Sequence, residues 1–254
     1  DYRVIILLLI SILNFLIGFF ILIKNKKKLS NIFYSLFAFG LSTWSFGMMM
    51  YVRNPLDLDR IWIWSLILHF AFSFIAVNLL CFSLAFPTDK INKLLAVVFY
   101  LSLVPIFLML FIFPSIIIDI IIKPGNRILV YGYGYIFYFI SFCVFMICAL
   151  IILLRKYLKN KEGEIKLQLK YIFWGILIPS SFALIINIFL PAMQDFRIAW
   201  TGPIFLVFIV IFIGYAILKH HLMNIKVIAT EIFSGLMVTV TTVDVLLSKS
   251  PQEL

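Results

Sequence analysis

The sequence predicts an all-α membrane protein: a bundle of seven transmembrane helices, with an eighth candidate helix and a small extracytoplasmic β-hairpin. Three observations carry this expectation. Of 254 residues, 64% are hydrophobic and only 13% charged, against roughly 45–50% and about 25% in soluble domains. The apolar residues gather into runs of the ~20 residues that a helix needs to cross a hydrocarbon core about 30 Å thick. The connectors between the runs are alternately rich and poor in Lys and Arg.

Backbone amides in lipid must be satisfied within the spanning structure, which leaves helices or closed barrels. Alternating strands of about ten residues, the barrel signature, are absent. The runs place helices at 4–23, 32–51, 62–86, 94–113, 135–154, 171–190 and 202–218. The first run is too long for the 7–15-residue core of a signal peptide and leads into Lys24, Lys26, Lys27 and Lys28 with no small-residue cleavage site, so it reads as a retained helix. Pro105 and Pro179 fall inside spans four and six, where each removes a backbone hydrogen bond and acts as a hinge or simply as shape.

Cytoplasmic loops carry excess Lys and Arg. Fourteen such residues follow spans one, three, five and seven, and six lie on the opposite side (Arg3, Arg53, Arg60, Lys123, Arg127 and Arg197). This places the N-terminus outside and the end of span seven in the cytoplasm. Tyr51, Trp62, Trp64 and Trp200 at the outer boundary and Tyr171 and Trp174 at the inner one fit interfacial anchoring. The net charge of +10 is explained by this topology, so no nucleic-acid partner is expected. The partner is the lipid bilayer.

The one substantial outer connector, 114–134, has β-branched runs on either side of Pro124, Gly125 and Asn126. That pattern predicts a β-hairpin, either a plain ordered loop element or a lid over an outward-facing pocket. After span seven, residues 219–230 read as a cytoplasmic juxtamembrane segment; the adjacent His220 and His221 point about 100° apart on a helix and lack a third ligand. Residues 231–247 are an eighth span or an interfacial helix, and 231–254 includes the start of a linker. The chain opens with Asp1 rather than Met, as expected of a fragment or a processed form.

Polar groups within a bilayer need a partner or a cavity. The candidates are Asn14, His69, Asn78 and Asn187. Trp62, Ser65, His69 and Ser73 recur at i, i+3, i+7 and i+11 along one stripe of span three, and Asn187 lies at a comparable depth in span six. These five residues are the candidate ligand-binding set, with interhelical hydrogen bonding as the alternative. Cys81, Cys143 and Cys148 lie in apolar runs without metal-ligand spacing, so no metal or cofactor is expected. No phosphate-binding glycine loop, nucleophile elbow or carboxylate pair occurs within the first seven spans, which argues against an enzyme. No internal repeat and no intramembrane acid supports a transporter, yet transport of a small solute and an accessory membrane subunit stay open.

Three stretches resemble the N-terminal seven-transmembrane sensor region of bacterial histidine kinases. They are FSLAFPTDKIN at the end of span three, LQLKYIFWGILIPSSFALIINIFLP across span six, and GPIFLVFIVIFIGYAILKHHLMNIKVIATEIF, where Tyr215-Ala216-Ile217 precedes Leu222-Met223-Asn224-Ile225. The resemblance implies a sensory input region (1–218) in the cytoplasmic membrane of a bacterium, serving a two-component system. It implies a small or lipophilic ligand, and dimerisation through C-terminal domains that this chain lacks, along with the catalytic ones. Tyr215, Leu222, Met223 and Asn224 would then relay the signal from span seven.

Overall fold

A computed structural model of the chain describes residues 1–53, 57–123, 126–160, 163–186 and 197–219, together with Met237. Helices α1 (Tyr2–Lys24), α2 (Leu29–Arg53) and α3 (Leu58–Ala85) follow one another closely. Next come α4 (Lys93–Leu101), α5 (Leu103–Phe107) and a π-helical turn (Leu108–Ile112), then strands β1 (Ile117–Lys123) and β2 (Asn126–Tyr131). Helices α6 (Gly134–Lys159) and α7 (Glu164–Leu184), a 3₁₀ turn (Ala199–Thr201) and α8 (Gly202–Lys219) complete the order.

Among the described residues, five helical segments are long and apolar enough to cross a membrane: α1, α2, α3, the Lys93–Ile112 segment and α6. Each overlaps an expected span. The other two expected spans fall on α7 and α8. Glu164, Lys166 and Lys170 occupy the first two turns of α7, which shortens its apolar part, and the apolar helix Ala199–Tyr215 is shorter than the five. The candidate eighth span and the juxtamembrane segment lie outside the described residues, apart from Lys219 and Met237.

Helices α2 and α3 form the centre and pack along each other, with α1 against α2 and α6 against α3. Tyr34, Phe37, Leu41, Leu79 and Phe82 are essentially inaccessible. Helix α8 joins this centre through the Tyr34 hydroxyl, which donates to the Val210 carbonyl at 2.6 Å. It packs closely on α7 because Gly175 has no side chain: a Cβ there would lie 2.5 Å from the Phe212 Cβ. By contrast, α4 contributes no buried residue, and Leu94 and Leu101 are among its most exposed side chains. Apolar side chains left outward in this way are what a bilayer solvates.

The fourth span is interrupted rather than continuous. Pro105 cannot donate to the carbonyl of Leu101, and its ring crowds that carbonyl. Helix α4 accordingly stops at Leu101, and the chain restarts at Leu103. It then winds more loosely, with Phe113 N–H donating to the Leu108 carbonyl at 2.8 Å, five residues back.

The expected hairpin is present as an antiparallel pair in which Ile120 faces Leu129 and Ile122 faces Arg127. Its register shifts between Ile117 and Asp119, and this bulge lets Ile117 and Ile120 both turn inward while Ile118, Ile121 and Ile122 remain exposed. An isolated hairpin is marginal in water; this one covers Ile61, Leu66 and Trp62 of α3. Its base joins α6 tightly, since Gly134 donates its N–H to the Ser115 carbonyl at 2.9 Å and a Cβ there would lie 2.6 Å from the Ser115 hydroxyl oxygen. At the opposite end of the bundle, the Lys156 ammonium donates to the carbonyls of Ser83 (2.8 Å), Leu84 (2.7 Å) and Phe86, closing the C-terminus of α3. Asp89, in the FPTDKIN stretch, accepts from the Ser30 N–H (2.8 Å) and hydroxyl (2.9 Å) at the start of α2.

Candidate ligand cavity

Four elements build a cavity of about 90 Å³ beneath the hairpin. Helix α2 contributes Trp44, Met48 and Tyr51 at helical spacing, and α3 contributes Leu68, His69 and Phe72. Strand β2 adds Leu129 and Tyr131, and α6 adds Tyr135, Tyr138, Phe139 and Phe142. Ala199, at the 3₁₀ turn before α8, completes the lining.

The stripe expected on α3 divides. His69 lines the cavity, its ring centroid 5.8 Å from that of Tyr131 and 5.4 Å from that of Tyr138. Its Nδ1 lies 2.8 Å from the Ser65 carbonyl oxygen. A carbonyl only accepts, so Nδ1 carries a proton, and in the neutral form of the ring Nε2 is the acceptor. The Ser65 hydroxyl donates to the Ile61 carbonyl (2.7 Å) and that of Ser73 to the His69 carbonyl (3.4 Å), with Ser73 also hydrogen-bonded to the Tyr138 phenol on the cavity wall. Such i−4 bonds satisfy a buried hydroxyl within its own helix. Trp62 packs beneath the hairpin rather than on the cavity. Asn187, Leu222, Met223 and Asn224 lie outside the described residues. Tyr215, of the relay set, meets Tyr171 of α7 edge-on at 5.9 Å.

The other intramembrane polar residues have separate fates. Asn78 donates to the Phe74 carbonyl (2.8 Å) and accepts from the Tyr100 hydroxyl (2.5 Å), tying α4 to α3. Asn14 is buried, and neither end of its amide has a partner among the described residues.

Sequence reasoning missed most of the wall. Tyr131, Tyr135 and Tyr138 belong to the run YGYGYIFYF, in which 135 and 138 share a helix face; that aromatic spacing across the hairpin–helix junction was the available signal. Tyr51, expected as an interfacial anchor, instead lines the cavity, and its hydroxyl is buried without a partner among the described residues. Arg127 of β2 holds Tyr51 in place: its guanidinium lies 5.0 Å over the ring and donates to the Tyr51 and Val52 carbonyls, closing the C-terminus of α2. Burial holds the Arg127 guanidinium below its ordinary value and pushes the Tyr131 phenol well above its own, so Tyr131 stays a protonated donor at neutral pH.

The cavity thus offers an imidazole and phenols inside an aromatic wall, and among the described residues none that lines it is a carboxylate or a thiol. That composition suits hydrogen bonding to a small neutral ligand. Among the described residues no cluster of His, Cys, Asp and Glu is placed to hold a metal ion. A family model described as the N-terminal 7TM region of histidine kinase matches residues 6–226. The chain belongs to that family. No curated protein and no solved structure matches it. A 7TM region of this kind is the input part of a histidine kinase and not a catalytic domain.

Proposed function

We propose that this chain is the membrane-embedded sensory region of a bacterial histidine kinase, crossing the cytoplasmic membrane seven times with its N-terminus outside. A small cue occupies the outer cavity between α2, α3, α6 and the hairpin. The observation that carries this reading is the presence, in one aromatic cavity with His69, of a Tyr51 hydroxyl that is buried with no partner among the described residues. A buried polar group without a partner costs about 1–3 kcal/mol, a cost that a ligand supplying the missing hydrogen bond removes. The cavity is smaller than the ~150 Å³ cavity known to accept benzene, so the cue, or the part of it enclosed, is a few heavy atoms in size.

The cavity walls belong to four elements, so a ligand that prefers one arrangement of them shifts the population towards it. Ala199 places the start of α8 at the cavity, and Tyr215 near its other end meets α7; α8 is therefore the route towards Leu222–Asn224 and a cytoplasmic output. The test is signalling by the full-length kinase in its native membrane. His69→Ala and Tyr51→Phe are expected to change its output at normal abundance; unchanged output in both would place the input elsewhere. The interrupted fourth helix favours a second reading, since transporters use broken helices. Solute flux into proteoliposomes containing this chain alone would support transport, and its absence the sensor.

A further inference from the structure

A second cavity, of about 150 Å³, lies deeper in the bundle, between α2, α3, α6, α7 and α8. Phe72 and Phe142 line both cavities, and their rings stack 4.2 Å apart at 17°, forming the partition between them. The deeper lining is almost wholly apolar, with Leu41, Met146 and Leu177 typical of it. The exception is on α7. Ser181 turns its hydroxyl back to the Leu177 carbonyl at 2.8 Å. Ser180, only 7% exposed, has a buried hydroxyl with no partner among the described residues.

These features select one class of occupant. An internal water needs two to four polar partners, and Ser180 supplies one. Among the described residues no charged side chain lines the cavity, so they offer an ion no counter-charge. The volume equals that of a cavity that takes up benzene, enough for a ring or a short alkyl chain. The Phe72–Phe142 stack closes the outer side, whereas Ile147 of α6, 54% exposed, is shared between the cavity and the surface that faces lipid. We infer that this deeper cavity is a binding site for a small neutral lipophile carrying one hydroxyl or carbonyl oxygen. The ligand arrives from the bilayer past α6, and its oxygen pairs with the Ser180 hydroxyl. The site is distinct from the outer cavity and stands or falls independently of the sensory reading.

The test uses the whole chain in lipid nanodiscs and a photoreactive probe, hexanol bearing an aliphatic diazirine, with adducts located by mass spectrometry. Saturable labelling of Met146, Leu177 or Ile209, displaced by unlabelled n-hexanol, is expected. Ser180→Ala should raise the half-saturating concentration about fivefold, the loss of one hydrogen bond, and Leu206→Phe, which fills the cavity, should abolish the saturable component. Should either variant fold poorly, Ser180→Cys, a weaker donor of similar size, is expected to give an intermediate value. Labelling confined to lipid-facing residues such as Ile136 and Ile140, or the same half-saturation in wild type and Ser180→Ala, would overturn the proposal.

Discussion

Lys156 illustrates how a loop charge becomes a structural one. On the sequence it belongs to the basic connector after span five; in the fold its ammonium bonds three carbonyls at the end of α3. The last carbonyls of a helix have no partner within it, and a cation there also complements the helix dipole. Lys156→Met should lower stability by about 1.5–3 kcal/mol, the usual worth of hydrogen bonds to a charged group, read as a lower unfolding midpoint in detergent. Asn14 is the converse case. Its amide is buried without a partner among the described residues, so Asn14→Leu should raise the same midpoint, by about 1–3 kcal/mol in stability. Which polar residues share a cavity was hard to read from spacing. Ser65 and Ser73 lie on the His69 stripe, yet a serine in a helix can satisfy itself on the preceding turn, and nothing in the spacing reveals that choice.

Among the elements, the helices were legible because length and apolarity are set by the bilayer. The hairpin was legible because β-branched runs flank a turn. Their irregularities were less so: Pro105 announced a bend but not that the chain would restart at Leu103 and loosen into a π-turn. The inward turn of both Ile117 and Ile120 depends on a bulge that strict alternation does not anticipate. The close approach of α7 and α8 rests on Gly175, which the sequence shows only as a glycine early in span six. Gly175→Ala would push a methyl group into the Phe212 Cβ, and overpacking of this kind costs about 1–3 kcal/mol; a lower unfolding midpoint checks it. Arg127 does for α2 what Lys156 does for α3. Arg127→Gln should release the hairpin from the end of α2, seen as faster amide exchange at Ile120 and Leu129 with little change in the helices.

At the scale of the whole molecule, the centre made by α2 and α3 carries a polar aromatic cavity beneath the hairpin and an apolar one deeper in the bundle. The family match over 6–226 places this arrangement at the input end of a histidine kinase. A passive anchor would be indifferent to a side chain that fills the outer cavity. A sensor would not, because such a side chain imitates a bound cue or blocks the arrangement that the cue stabilises. The most direct measurement is the basal autophosphorylation rate of the full-length kinase in membrane vesicles, comparing wild type with Leu129→Trp at matched abundance and thermal stability. The sensory account predicts a change of about fivefold or more, in either direction, the lower end of typical allosteric coupling. Equal rates in the two proteins would contradict it.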